Sequence, residues 1–279
     1  HTLVDGRAMT WAESLAVNHT DGIVVLHRGR IVYERYFGAL RPELQHIAFS
    51  VTKSFVGLMG AVLVHEGVLD AQSLVRSHLP ELADSAFGNA TLRQLLDMTT
   101  GLDYSENYAD PAAQIHEHAR AGGFLPRAPG YQGADSFYDF LKTVRPLGEH
   151  GRAFAYKTVN TDTLGWVIRR ATGLHLAELI SQRLWQPLGC EQEAFFAIDS
   201  HGTDFAGGGL NTTLRDLARL GEMMRLRGHF NGQQIVPEAV VDDIAAGADP
   251  THFAQAGYAL LPGWSYRNMW WVTHNAHRA

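Results

Sequence analysis

The stretch F-S-V-T-K-S-F-V-G, Phe49 to Gly57, places a hydroxyl and an amine three residues apart at the head of an apolar run. Phe55, Val56, Met59, Val62 and Leu63 continue that run at helical spacing to about His65, and Gly67 is a plausible stop. Residues i and i+3 share one face of a helix, so Ser50 and Lys53 meet there. A serine hydroxyl attacks poorly at neutral pH until a neighbour accepts its proton. A lysine does so only when burial or nearby cations keep it neutral. Ser50 also falls at the helix N-terminus, where free N–H groups and the dipole favour developing negative charge. Its own N–H is a candidate oxyanion donor. The motif is short, and by itself it fits a solvated lysine beside a helix-capping serine better; the surrounding sequence reverses that balance.

The surrounding sequence has a consistent order. G-I-V-V-L-H and I-V-Y-E-R-Y-F read as strands, with R-G-R between them as a hairpin turn. Thr91 is an N-cap before a short helix ending near Gly101. Residues 105–135 are polar, rich in Gly and Pro and without a clear period, which suits a substrate-facing loop. Phe137 to Val144 reads as helical. F-A-Y-K-T-V-N-T-D-T-L-G-W-V-I-R-R runs into a helix through Ala171, and a further amphipathic helix follows from about Leu174 to Trp185. Gly207, Gly208 and Gly209 precede a helix capped by Thr212 or Thr213, and a short helix is expected near 237–246. From Tyr258 the chain is aromatic and strand-like. Strands, a long helical middle and strands again imply an α/β arrangement: a sheet plus a mostly helical lobe, with chemistry in the cleft between them.

Composition narrows the function classes. The 279 residues are 46% hydrophobic, enough for a substantial core. A formal net charge of −6 and a pI near 6.2 oppose a nucleic-acid footprint. No apolar window reaches the roughly 18 residues of a membrane span. The single cysteine, Cys190, precludes an intramolecular disulfide framework and reads as structural. It is compatible with a reducing compartment, and the cytoplasm is the expected location. Histidines 116 and 118, and 274 and 277, lack metal-site spacing, so hydrogen-bonded or solvated histidines are expected rather than ligands. The sequons at Asn18, Asn89 and Asn211 carry no weight without a secretory context.

Four blocks in order, F-S-V-T-K-S, T-L-R-Q-L-L-D-M-T-T-G-L, the segment around Tyr156, and G-G-G-L-N-T-T-L-R-D-L-A-R-L, resemble the serine β-lactamase and penicillin-binding superfamily. The similarity spans about residues 20–275 and is strongest to its class C-like esterases and amidases, in particular the branch that hydrolyses nylon oligomers. D-Y-S-E-N-Y-A-D-P, F-A-Y-K-T-V-N-T-D-T-L-G-W and Y-R-N-M-W-W-V-T-H-N carry that finer similarity. The resemblance implies a β-lactamase-like fold, an antiparallel sheet flanked by helices plus a mostly helical lobe. It implies a single catalytic domain over 1–279, its sheet lobe about 1–50 and 250–279 and its helical lobe about 80–245.

It further implies Ser50 as nucleophile, Lys53 as base partner and Tyr156 as the third member, its phenol helped toward ionisation by the Lys53 ammonium. Tyr108 would hydrogen-bond the scissile amide nitrogen, Trp271 would wall the acyl pocket, and Glu106 would meet a substrate ammonium, unless it is simply an exposed loop carboxylate. The implied substrate is a small amide or ester, with no cofactor, metal, nucleic-acid or membrane partner, and with a homodimer as the assembly. A carboxylesterase, a β-lactamase or D-Ala-D-Ala peptidase, and a catalytically silent binding protein are the competing readings. Tyr156 is followed by Lys157 and Thr158 where the peptidases carry Tyr-x-Asn. The positions of Gly207 and Ala119, which bear polar or acidic groups in highly active nylon-oligomer hydrolases, bear none here. The third motif, [KH]-x-G, is missing after Asn275, so the protein is expected to continue beyond Ala279 with its final strands.

Overall fold

The computed structural model describes residues 6, 8–258 and 260–275. The expected first hairpin forms from strands Gly22–His27 and Arg30–Tyr36. Arg28 and Gly29 both take positive φ, 52° and 74°. That is the two-residue turn whose twist matches antiparallel strands. Among the described residues the remaining strands are short and every pairing is antiparallel.

One pairing explains how distant blocks of sequence meet. His46–Ile47, which leads into the Ser50 helix, pairs with Leu210–Thr212, which in turn pairs with Phe195–Phe196. Ala48 N–H donates to Leu210 O at 2.8 Å, extending the register toward Ser50. The glycines just before Leu210 therefore run alongside the start of that helix.

The helix itself spans Val51–His65 and buries eleven residues, Phe55, Val56, Leu58, Met59, Val62 and Leu63 among them. Each such apolar side chain contributes roughly 2 kcal/mol, as an upper bound, by leaving water. Beside it lies helix Val159–Thr172, whose ten residues from Val159 to Ile168 are all buried and which ends on Gly173 at φ 73°. Its polar residues Asn160, Thr161, Asp162 and Thr163 are therefore inside the protein, where they need partners.

Helices Leu92–Leu96, Gln114–Ala121, Phe137–Thr143, Leu176–Ile180, Leu214–Arg225 and Glu238–Ala246 complete the helical middle. Thr91 caps its helix with a full capping box to Gln94, although that helix stops at Leu96 rather than near Gly101. Thr213, not Thr212, caps Leu214–Arg225. The region expected to be irregular contains helix Gln114–Ala121, with Ile115, His118 and Ala121 buried on one face. The glycines and prolines on either side hid that three-residue spacing. The helix expected over 174–185 is regular only to Ile180 and then widens to a π-turn over Ser181–Trp185.

The aromatic tail forms a hairpin, Ser265–Arg267 with Trp270–Val272, turning on Asn268 and Met269 at φ 48° and 66°. Gly57 lets this turn lie against the Ser50 helix, since a Cβ there would sit 2.2 Å from Asn268 O. The turn is fixed by charge: Arg93 donates to Asn268 Oδ1, Asn268 N–H donates to Asp97, and Arg267 bridges Asp97 and Asp243. No helix among the described residues is long and apolar enough to cross a membrane. The stretch after Asn275, where the third motif was sought, lies outside the described residues.

Candidate active site

Ser50 sits at the N-cap position of Val51–His65, yet its side chain makes no capping hydrogen bond. Phe49 before it has φ 42°, a left-handed conformation uncommon for a bulky residue and of the kind found where a side chain must be presented. The free hydroxyl accepts a hydrogen bond from Lys53 Nζ at 3.0 Å. Lys53 is not the solvated lysine of the alternative reading: it is 1% exposed and also donates to Gly207 O at 2.6 Å. Burial pulls its pKa down from the ordinary lysine value to about 8, against the opposing charges of Glu106 and Asp162.

Tyr156 lies in the turn before the buried helix, held by Ala155 N–H to Met98 O at 2.8 Å. Lys53 Nζ is 5.1 Å from the centre of its ring, and its hydroxyl interacts with Ser50. The expected ionisation is not what this environment favours. Burial pushes the phenol well above its usual pKa, and the Ser50 hydrogen bond, which lowers it, does not compensate. Tyr156 is thus a proton-bearing phenol at neutral pH, and Lys53, drawn toward neutrality by burial, is the candidate base. Trp271 stacks on Tyr156 at 5.5 Å and 26°, within an aromatic cluster that includes Phe154, Phe253, Tyr258 and Tyr266.

A cavity of about 210 Å³ opens beside Ser50 and Lys53. Its apolar wall is Ile47, Phe49, Ile115, Ala119, Phe124 and Phe205, with Tyr108 at the rim, 70% exposed. Ala119 projects from the helix Gln114–Ala121 that the sequence reading missed. Trp271 does not line this cavity; it stacks on Tyr156 instead. Glu106 is partly buried rather than exposed, and its carboxylate accepts from Thr158 N–H at the start of helix Val159–Thr172. Among the described residues no three His, Cys, Asp or Glu side chains gather as metal ligands would.

Gly207 has a steric reason to lack a side chain: a Cβ there would lie 2.2 Å from Thr158 Cγ2 and 3.2 Å from Asp162 Oδ2. Thr158 and Asp162 are site residues that the sequence reading did not single out. Their signal was available, since polar residues within an otherwise buried helical pattern need a partner. Of the two histidine pairs, His118 is buried and faces Tyr104 and Asp162, and His274 meets Ser265 Oγ at 2.7 Å. His277 lies outside the described residues. Cys190 is half-buried with its thiol pKa raised to about 12, chiefly by burial, which fits an inert structural cysteine.

Comparison with known proteins finds hydrolase relatives. The chain is 37% identical over 257 residues to a 6-aminohexanoate-dimer hydrolase of Paenarthrobacter ureafaciens, covering 92% of this chain and 65% of that protein. It is 30% identical over 193 residues to Esterase EstB of Burkholderia gladioli, covering 63% of this chain and 47% of that one. A solved Bacillus anthracis structure with a provisional 6-aminohexanoate-dimer hydrolase name superimposes with a TM-score of 0.88 at 36% identity, over 98% of this chain and 70% of that one. The chain thus spans about two thirds or less of the length of these two curated relatives. The family model described as Beta-lactamase matches residues 16–276, nearly all of what is described here, and the chain belongs to the β-lactamase family.

Proposed function

We propose that this chain is a serine hydrolase that cleaves short linear amides or esters through an acyl-enzyme on Ser50. The observation that carries the reading is the 3.0 Å contact between Ser50 Oγ and a lysine amine removed from water. In this reading the neutral Lys53 amine takes the Ser50 proton as Oγ attacks the carbonyl. The Ser50 N–H, at the helix N-terminus, donates to the developing oxyanion. Tyr156, a neutral phenol, relays the proton to the leaving group. Water then attacks the ester of Ser50, Lys53 accepts the proton from that water and returns it to Ser50 Oγ as the ester bond breaks, and the acid product leaves. All of this takes place within a single domain.

The names of the relatives give two substrate classes, the 6-aminohexanoate dimer and carboxylic esters. The dimer carries an ammonium at one end, and Glu106 is the candidate to meet it, with Tyr108 closing over the scissile nitrogen and Trp271 bounding the acyl side. A specific observation favours the ester: the cavity wall bears no carboxylate, and Ala119 and Gly207 offer no polar group. Apolar acyl or leaving groups fit that wall without stranding a charge.

The test is a fluorophosphonate probe together with initial rates on a short p-nitrophenyl ester and on the dimer, with Ser50→Ala as control. Labelling and hydrolysis should be abolished in Ser50→Ala, and the ester should turn over faster than the dimer. A folded wild-type protein that neither labels nor hydrolyses would return the chain to the silent binding class. The reading includes a homodimer, carried by the resemblance alone, and light scattering after size-exclusion chromatography tests it.

A further inference from the structure

We propose that Asp162, His118 and Tyr104 form a positioning chain that holds the Gly207 carbonyl against Lys53 and keeps a carboxylate charge behind the base. The inference rests on reading Lys53 as the base for Ser50. None of the three lines the substrate cavity, so their role runs through Gly207.

Gly207 is held from both sides. Its N–H donates to Asp162 Oδ1 at 2.8 Å, and its carbonyl accepts from Lys53 Nζ at 2.6 Å. Asp162 stands on the buried helix at 3% exposure, and its other oxygen lies 3.2 Å from His118 Nε2, in contact though off the line of a hydrogen bond. The imidazole is fixed by rings: it stacks on Phe140 at 5.0 Å and meets the edges of Phe137 and Phe205. His118 Nδ1 is 3.0 Å from the Tyr104 hydroxyl.

Burial holds the Tyr104 phenol well above its usual pKa, so it keeps its proton. With that O–H donating to Nδ1, the proton of the imidazole is on Nε2, facing Asp162. A buried Tyr–His–Asp row contributes little to stability that apolar residues of similar size could not replace. Its position one residue behind the Lys53 acceptor gives it a use. The Asp162 charge favours the lysine ammonium and opposes the effect of burial, which preserves the amine's strength as a base.

The groups facing Lys53 are Ser50 on its own helix, Glu106 from the preceding loop, the Tyr156 ring, and Asp162 behind Gly207. Those facing Asp162 are His118, with Tyr104 and Tyr138 nearby.

The experiment measures the rate of Ser50 labelling by a fluorophosphonate against pH in wild type, Asp162→Asn and Tyr104→Phe, with melting temperatures alongside. Wild type should show a rate that rises with pH as Lys53 loses its proton. Asp162→Asn keeps an acceptor for Gly207 N–H but removes the charge, so the midpoint should fall by about one pH unit and the plateau by several-fold. Tyr104→Phe keeps the charge, and should lower the plateau several-fold with a smaller shift of the midpoint. An unchanged midpoint in folded Asp162→Asn overturns the inference. If Asp162→Asn does not fold, Tyr104→Phe decides: a wild-type plateau at a wild-type melting temperature overturns it, and a lowered plateau supports it. A wild type that does not label at all refutes the serine hydrolase reading instead, which separates the two failures.

Discussion

Lys53 Nζ lies 2.6 Å from the carbonyl oxygen of Gly207, a residue 154 positions later in the chain. That contact joins the Ser50 helix to the glycine run, which the antiparallel pairing of His46–Ile47 with Leu210–Thr212 brings alongside. It also gives the buried amine a second acceptor besides Ser50, so the lysine end is held in one place. The candidate site is therefore sensitive to charge around Lys53 and to volume around Gly207.

Activity should titrate with Lys53. The amine is a base only when neutral, so kcat/KM is expected to rise with pH through about 8 and to fall about tenfold for each unit below that. Glu106→Gln removes the larger of the two carboxylate effects that favour the ammonium, and the midpoint should move to lower pH while Thr158 N–H keeps an acceptor. A pH–rate profile of both proteins checks this.

Lys53 should be costly to stability where it is useful to chemistry. The unfolded chain holds a lysine proton up to its ordinary value near 10.5, whereas the folded chain releases it at about 8. Between those values the unfolded state binds one more proton, so stability rises with pH across the window and is lowest below it. The difference amounts to about 3 kcal/mol, offset by about 1–2 kcal/mol if the Gly207 carbonyl loses its donor. Lys53→Met is expected to lose activity and gain about 2–5 °C in melting temperature at pH 7. A lower melting temperature would contradict the burial penalty.

Tyr156→Phe separates amides from esters. An amine leaving group must be protonated as the bond breaks, whereas a phenolate leaves unaided. The variant should lose about 10²–10³-fold on an amide and less than about tenfold on a p-nitrophenyl ester. Parallel kcat measurements on the two substrates decide it, and equal losses would point to a structural role for the hydroxyl.

Gly207→Ala should fail for a steric reason that can be repaired. The new methyl group meets Thr158 Cγ2 at 2.2 Å, so the carbonyl on Lys53 has to shift. A loss of about 1–3 kcal/mol and a drop in kcat are expected. Thr158→Ser removes the opposing methyl group, and the double variant should recover most of both. Chemical denaturation of the four proteins in a double-mutant cycle measures the coupling.

How much of this was legible in the sequence depends on how local each interaction is. The Ser50–Lys53 pair is an i, i+3 relation on one helix, and helix geometry alone brings the two groups together. The R-G-R hairpin turn, the Thr91 capping box and the Gly67 stop are equally local, because backbone sterics and nearby donors decide them. Helix Gln114–Ala121 was masked because its single turn and a half of apolar spacing sits between glycines and prolines. Its boundaries are stabilised by packing rather than propensity.

The chain by itself determined the Ser50–Lys53 pair, the order of elements and the family pattern, since these depend on periodicity and ordered motifs. Only the tertiary structure decided the state of the site. It put Gly207 on Lys53, set Asp162 and His118 behind it, turned Glu106 onto Thr158 N–H, and buried Tyr156 against Trp271 so that its phenol keeps its proton. Those are properties of local dielectric and long-range contact, which a sequence carries only through the packing of residues far apart in it.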